Sequence, residues 1–456
     1  MANPLRLLPS ARTTNRLALL ALIVGLTAGC GQKKAAAPAA TATTTAVKPG
    51  APGGAPAAAT ATKAAGKVAA KVVKAAGPPQ KVVLWHAYRD TERKALDHLI
   101  DHWNKIHPEV VVTALAIPFD ALIDKAQIAI PRGNGPDLVI FAHDKVGVWA
   151  RDKLIAPLGD FATAARLQRF LPQTVKPLVF ERAVYGLPLA FKSAVLFYNK
   201  KLVPKPPKTV AEMIEIAKAR TNKKNGEFGL AYDAADLYFH AGWLHAFGGK
   251  VFDERARTLA INSPEAVAAV EAVRDLHKKH HILPKGMTGF VVTAMFNEGK
   301  VAMVFNGPWF LSEIEKGVEF GVTLMPEVAP GKPMKPYLGS EGIMLSAKTK
   351  VRDAALQLMD YLTSDEAALT RITMGRQLVA NKKIYEDPKF GNDPVVKVFR
   401  AQADMAVPMP NAVEANVAWS PYSNALRKVI FGTTPAPEAL KAAADQAATA
   451  MTKLRK

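Results

Sequence analysis

The sequence predicts an α/β fold built from more than one lobe. Residues 81–85 form a short apolar run typical of a strand, residues 90–107 carry apolar side chains at helical spacing, and residues 110–117 form a second strand. A strand, a helix and a strand within about 35 residues constitute a βαβ unit, which implies parallel strands covered by helices. The chain has 456 residues, 49% of them hydrophobic, and this length predicts a core that is divided between lobes.

The same alternation continues along the chain. A helix is predicted at 119–130, a turn at the Gly-Asn-Gly-Pro of 133–136, and a fully apolar buried strand at 137–141. Ser263 and Ser364 each stand directly before a helical segment, where N-capping residues are found. The later predicted helices are 210–220, 264–280, 291–299, 354–363 and 437–454.

Residues 1–29 have the layout of a secretory signal peptide. Three arginines precede an apolar run at 17–26, which is too short to remain as a membrane span, and small residues lead to Cys30. The Leu-Thr-Ala-Gly-Cys of 26–30 resembles a bacterial lipobox, although Thr27 replaces the usual bulky aliphatic residue. Cleavage before Cys30 would leave it as a lipid-modified amino terminus that anchors the protein. The alternative is a free buried thiol.

Residues 30–80 are predicted to form a disordered tether, because they are rich in Ala, Pro, Thr and Lys and contain no aromatic or acidic residue. The net charge of +21 is divided accordingly. Leader and tether hold ten of the sixty basic residues, which leaves +11 for residues 81–456. A basic tether without aromatic residues suits an anionic bilayer better than a nucleic acid, so no nucleic-acid partner is expected.

The residue types also restrict the chemistry. A single Cys excludes disulfide scaffolds and cysteine-based metal sites, the histidines are too scattered for a metal motif, and no phosphate-binding glycine loop follows a strand. No metal and no cofactor are therefore predicted.

A series of short motifs runs through residues 81–456. They are GPD at 135–137, FAHD at 141–144, YGLP at 185–188, YNK at 198–200, PPKT at 206–209, FNEGKVAMVFNGPW at 296–309, and MPN at 409–411 followed by Trp419. In this order they resemble the extracellular solute-binding proteins of ABC importers, and among these the maltodextrin-binding branch is the most similar.

This resemblance implies a two-lobed periplasmic-binding-protein fold with a hinge and a central ligand cleft. One lobe would hold 81–190 and 342–390, and the other 195–335 and 391–456. It further implies a monomer at the periplasmic or cell-surface side of a bacterial membrane, which captures an oligosaccharide and delivers it to the membrane subunits of an ABC permease.

A sugar-binding cleft needs aromatic rings for the faces of the sugar and polar groups for its hydroxyls. The resemblance assigns stacking positions to Trp309, which follows a strand and a Gly-Pro turn, and to Trp419. Packing in the core is the alternative for both.

On the facing lobe, the resemblance assigns ligand contacts to Phe141, to Asp144 as a hydroxyl acceptor and to Lys145 as a donor. The branch usually has Trp and Arg at the first and third of these positions. Asp144 has the alternative role of a helix cap.

The resemblance also places Asp236 and the aromatic pair Tyr238 and Phe239 against the sugar. Their helical spacing with Trp243 equally suits packing in the core, and Trp243 itself is expected to be mostly core. Trp85 is expected to be buried.

Lys192 stands where maltodextrin binders have a sugar-binding Glu. It is either a solvated surface lysine or a sign that the cargo is acidic or has a different hydroxyl pattern. A glycoside hydrolase would need two carboxylates, and Asp144, Asp236, Glu341 and Glu414 are candidates, but nothing in the sequence singles out a pair. We therefore predict a binding protein rather than an enzyme.

Overall fold

The computed structural model describes residues 78–253, 256 and 258–454. The predicted signal peptide, Cys30 and almost all of the predicted tether lie outside the described residues. The first strand begins at Gln80, which is the last residue assigned to the tether. No helix of the described residues is long and apolar enough to cross a membrane.

The strands of the described chain are β1 (Gln80–His86), β2 (Val110–Ala116), β3 (Leu138–Ala142), β4 (Val179–Phe180), β5 (Ala183–Val184), β6 (Gly186–Lys192), β7 (Val195–Asn199), β8 (Phe228–Ala231), β9 (Phe252–Asp253), β10 (Thr258–Leu259), β11 (Val301–Asn306), β12 (Phe320–Thr323), β13 (Glu327–Ala329), β14 (Lys332–Pro333), β15 (Tyr337–Leu345) and β16 (Val407–Pro408).

The α-helices are α1 (Asp90–Ile106), α2 (Phe119–Ala129), α3 (Val146–Arg151), α4 (Ala164–Leu167), α5 (Pro172–Val175), α6 (Val210–Arg220), α7 (Leu237–Ala246), α8 (Pro264–Lys278), α9 (Gly289–Asn297), α10 (Phe310–Glu313), α11 (Arg352–Leu362), α12 (Asp365–Gly375), α13 (Pro388–Gly391), α14 (Pro394–Met405), α15 (Val413–Asn416), α16 (Trp419–Ile430) and α17 (Ala436–Leu454). Short 3-10 turns occur at Gly159–Phe161, Lys176–Leu178, Lys223–Asn225 and Lys382–Glu386, and a fifth, His143–Lys145, follows β3.

The first sheet contains the predicted βαβ unit. Its strand order is β16-β15-β3-β1-β2, and β6 also pairs with β15. Strands β1 and β2 are parallel along their whole length, as are β1 and β3 where they meet. Helix α1 covers this sheet because Leu96, Leu99 and Trp103 recur on one of its faces and are buried.

The first sheet is mixed rather than purely parallel, and this differs from the expectation. Strand β15 lies between β3 and β6 and runs antiparallel to both. At its first residue, Tyr337, the strand is buried in a core that also contains Leu196 of β7 and Met303 of β11. Strand β15 therefore runs from the second sheet into the first. Because it enters from that side, it lies antiparallel to β3 and β6.

The second sheet has the order β12-β7-β11-β8. Strand β11 is buried at every residue, and helices α7, α8, α16 and α17 contribute to the core on this side. The chain passes from the first sheet to the second within two residues, because β6 ends at Lys192 and β7 begins at Val195.

The helices begin where the sequence indicates. Ser263 accepts a hydrogen bond from the backbone N–H of Ala266, and Ser364 accepts one from that of Ala367, so both predicted caps are confirmed. The predicted 210–220 helix is observed as α6 with the same bounds. The other predicted helices agree with the observed ones to within about two residues, the usual variation at helix ends.

Candidate ligand-binding site

Trp309 lies where the second sheet meets the first. Strand β11 ends at Asn306, and the turn through Gly307 places Trp309 at the start of α10 as a half-buried residue. A Cβ atom on Gly307 would lie 2.2 Å from the ring of Trp309, so the indole packs directly on the backbone of the turn. The local sequence thus holds the ring rigidly at the end of a strand.

Tyr238 and Phe239 lie beside this ring. The centroid of the Tyr238 ring is 5.8 Å from that of Trp309 and 5.4 Å from that of Phe239, and all three side chains are half-buried. The Tyr238 hydroxyl is shielded from solvent and makes no hydrogen bond with any described residue. Three aromatic rings are therefore brought together at the end of β11.

Asp236 caps the helix that carries these rings. Its carboxylate accepts a hydrogen bond of 2.9 Å from the backbone N–H of Tyr238. Burial, assisted by the carboxylates of Asp233, Asp120 and Asp144, raises the pKa of Asp236 to about 6 despite the lowering effect of the capping bond. The site therefore holds a carboxylate that is costly to keep ionised.

Asp144 and Lys145 form an ion pair after β3. The Lys145 Nζ lies 2.7 Å from the Asp144 Oδ2 and donates to the Asn416 Oδ1 at 2.8 Å. The Asn416 amide donates back to the backbone carbonyl of Asp144 at 2.8 Å. No side chain caps the 3-10 turn or α3, so the alternative role of Asp144 as a helix cap is wrong.

Phe141 occupies a different place from the one expected. It is only 1% exposed, and its ring is stacked on Phe119 at a centroid distance of 4.5 Å and tilted against Trp149 at 5.3 Å, so it presents no face to a ligand in this structure. The ring that reaches solvent is Phe119, at 51% exposure, which the sequence analysis missed. The sequence feature that could have indicated Phe119 is an aromatic residue at the first position of a helix, α2, that directly follows a strand, β2.

Trp419 is the first residue of α16 and is half-buried, with its ring stacked on that of Tyr337 at 6.2 Å. The segment before it is connected to Asp144 and Lys145 through Asn416. Trp243 and Trp85 are 1% and 4% exposed, which confirms that both are buried.

Lys192 is not a solvated surface lysine, because its side chain is only 17% exposed. Its Nζ lies 2.9 Å from Glu341 and 3.6 Å from Glu92, and 5.7 Å from the centroid of the Trp309 ring. The Tyr88 hydroxyl donates to the other oxygen of Glu341 at 2.5 Å. No sequence motif indicates this cluster, since its members come from α1, β15, the end of β6 and the loop after β1.

The charges of this cluster depend on one another. Burial alone would lower the pKa of Lys192, but the carboxylates of Glu341 and Glu92 raise it above the ordinary value, so the ammonium stays charged. Burial raises the pKa of Glu92, and Lys192 opposes this effect.

Two of the carboxylates considered for hydrolysis are engaged in ion pairs. Glu341 binds Lys192 and Tyr88, and Asp144 binds Lys145. Among the described residues there is no group of three or more His, Cys, Asp or Glu side chains that could hold a metal ion.

Two α/β cores that meet at half-buried aromatic rings and paired charges define a two-lobed binding protein. The chain belongs to the bacterial extracellular solute-binding proteins, a family that matches residues 89–369. The family binds solutes and is not defined by catalysis.

Similar proteins support this assignment. The chain is 28% identical to a maltotriose-binding protein of Pyrococcus abyssi over 77% of each chain. It is 26% identical to a maltooligosaccharide ABC transporter solute-binding lipoprotein of Streptococcus pneumoniae, over 72% of this chain and 79% of that one. The solved structure of a Thermus thermophilus maltotriose-binding protein bound with maltotriose superposes with a TM-score of 0.76 at 28% identity, covering 81% of this chain and all of that one. The predicted two-lobed α/β fold is thereby confirmed.

Proposed function

We propose that this protein captures an oligosaccharide of the maltodextrin type and delivers it to the membrane subunits of a carbohydrate ABC importer. The observation that carries the proposal is the arrangement of Trp309, Tyr238 and Phe239 opposite the Lys192 and Glu341 pair. The names of the relatives, two of which bind maltotriose or maltooligosaccharides, support the same conclusion.

The chemistry of a glucose unit fits these groups. Its C–H faces pack on aromatic rings, and its hydroxyls both donate and accept hydrogen bonds. Trp309, Tyr238 and Trp419 are half-buried and offer ring faces or edges.

The proposed contact residues are those of the sequence analysis, with one change. Phe119 takes the exposed position, and Phe141 supports it from below. The remaining proposed contacts are Asp144, Lys145, Lys192, Asp236, Tyr238, Phe239, Trp309 and Trp419.

We propose that the lobes have the boundaries expected from the sequence, 81–190 with 342–390 and 195–335 with 391–456. Closure would then rotate the two sheets about the short passage between Lys192 and Val195 and about β15. A ligand drives closure if it contacts both lobes, because only the closed form then offers the full set of contacts.

We further propose that Cys30 carries the lipid that holds the protein at the periplasmic or cell-surface side of a bacterial membrane, and that the protein acts as a monomer. Cells fed a labelled fatty acid should incorporate the label into the wild-type protein but not into Cys30→Ser. Label in both variants, or in neither, would contradict the anchor.

The sugar assignment is tested by titrating the tryptophan fluorescence of the purified protein with maltotriose, maltose and unrelated disaccharides. Maltotriose should bind, and Trp309→Ala should weaken it by about tenfold or more, since stacked rings contribute on the order of 1 kcal/mol beyond the buried area. Leu369→Ala, which removes an exposed apolar side chain of α12, is the control. Absence of binding to any neutral sugar by a folded protein would refute the assignment, and release of shorter sugars would indicate a hydrolase.

A further inference from the structure

The region beneath Trp309 contains a set of buried charged groups that we call the Lys192 cluster: Lys192, Glu92, Glu341, Tyr88 and Arg371. Lys192 is within ion-pair distance of both carboxylates, at 2.9 and 3.6 Å. Both carboxylates are close to fully buried, with side chains 13% and 9% exposed. Such groups are retained in a fold only when they are paired and hydrogen-bonded.

The second cation of the cluster is Arg371, which is 1% exposed. It donates to the backbone carbonyl of Leu189 at 2.7 Å and interacts electrostatically with Glu341 and Tyr88. An arginine keeps its charge in any protein environment. Lys192 is the cation that forms ion pairs with both carboxylates, and the charge of Arg371 adds to the positive field at Glu341.

This pairing bears on whether Lys192 indicates an acidic cargo, which the sequence left open. An acidic cargo would need a cation with charge to spare, but the charge of Lys192 is already taken by Glu341 and Glu92. Asp236, another proposed contact, is acidic as well, so a further carboxylate beside it would be repelled. A neutral sugar brings no such penalty.

The presence of Lys192 in place of the Glu of maltodextrin binders also has a local explanation. The resembling branch has a carboxylate acceptor there, whereas this chain has a donor. A carboxylate is still present, on Glu341 of β15, and Lys192 and the Tyr88 hydroxyl each bind one of its oxygens. Lys192 and Tyr88 thus fix the orientation of Glu341, and the Lys192 ammonium lies below Trp309 and over the ring of Tyr88, 5.7 and 5.8 Å from the two centroids.

We infer that Glu341 is the carboxylate that receives the sugar hydroxyls in this protein, and that Lys192, in addition to its own proposed contact with the sugar, positions and neutralises Glu341, so that the site selects uncharged sugars and rejects acidic ones. This inference rests on the proposed function and assigns its specificity to residues that the resemblance does not supply.

The test compares maltotriose with maltobionate, a disaccharide acid, by calorimetry and by thermal unfolding of the same protein samples. The wild type should prefer maltotriose by about a hundredfold, because an added buried charge without a partner is strongly disfavoured. Glu341→Gln frees Lys192 from its nearer partner, so it should lose about tenfold in maltotriose affinity and gain affinity for maltobionate.

Lys192→Glu would place a third carboxylate beside Glu92 and Glu341. We expect this variant to unfold at a lower temperature than the wild type and to lose maltotriose binding. The double variant Lys192→Glu with Glu341→Lys restores the pair in the opposite direction, and it should recover thermal stability. Lys201→Met, which breaks an exposed pair with Glu319, is the matched control and should change neither stability nor sugar preference.

Several outcomes separate the two proposals. A wild type that binds maltobionate as tightly as maltotriose would overturn the role of Lys192 and leave sugar capture intact. An unchanged sugar preference in Glu341→Gln would overturn the role of Glu341. A folded wild type that binds neither these sugars nor any other neutral sugar would overturn both proposals.

Discussion

Replacing Asp236 with Asn removes a half-buried negative charge but keeps the cap of helix α7, because Asn and Asp are about equally good at an N-cap. Burial raises the pKa of Asp236 from 3.8 to about 6, so the folded protein holds this proton more tightly than the unfolded chain does. The contribution of the group to stability is therefore greatest below pH 3.8. It is lost as the pH rises towards 6.

The difference of about two pKa units corresponds to about 3 kcal/mol, at 1.36 kcal/mol per unit. Asp236→Asn should therefore raise the free energy of unfolding by up to about 3 kcal/mol at pH 8 and by almost nothing at pH 3.5, where the carboxyl is protonated in both states. The same substitution should weaken maltotriose binding if Asp236 accepts a sugar hydroxyl. Stability and affinity would then change in opposite directions.

Denaturant unfolding of both proteins at pH 3.5, 5, 6 and 8 measures this effect. The matched control is Asp393→Asn, at the cap of α14, which should change the unfolding free energy by less than about 0.5 kcal/mol. An equal gain from Asp236→Asn at pH 3.5 and pH 8 would show that the carboxylate charge is not the cause. No gain at any pH would refute the reasoning from burial.

Two further substitutions test the framework of the site. Gly307→Ala should weaken maltotriose binding by about tenfold or more while the protein stays folded, because a Cβ 2.2 Å from the Trp309 ring displaces that ring. Unchanged affinity in a fluorescence titration would contradict this. His143→Ala should lower the free energy of unfolding by about 2–4 kcal/mol, since buried His143 accepts from the Ser340 N–H at 2.9 Å and donates to the Met409 carbonyl at 2.8 Å. Denaturant unfolding measures the loss, and a value near zero would mean that these bonds are replaced by water.

Local patterns predicted the elements of the fold well. Helix α6 has the predicted bounds because its N-cap, Thr209, and its apolar spacing are contained in one short stretch of sequence. The βαβ unit at β1, α1 and β2 was equally accessible. The antiparallel course of β15 was not, because pairing between distant segments leaves no periodic signal along the chain.

The same limit applies to the site. Sequence motifs indicated Trp309, Tyr238 and Asp144, and the structure brings the first two into contact. They did not show that Lys192 meets Glu341, because the two residues lie on different strands and are joined only through the register of β6 with β15.

The position of β15 has a consequence for how the chain matures. Strands β3 and β6 are joined through β15, which is synthesised after every strand of the second sheet. A nascent chain that ends before Tyr337 therefore presents two open strand edges in place of a completed first sheet. Pairing across such long sequence separations is slow, so we expect the first sheet to be completed only after β15 has been synthesised. If residues 1–29 are the predicted secretory signal, we expect such a delay to keep the chain competent for export.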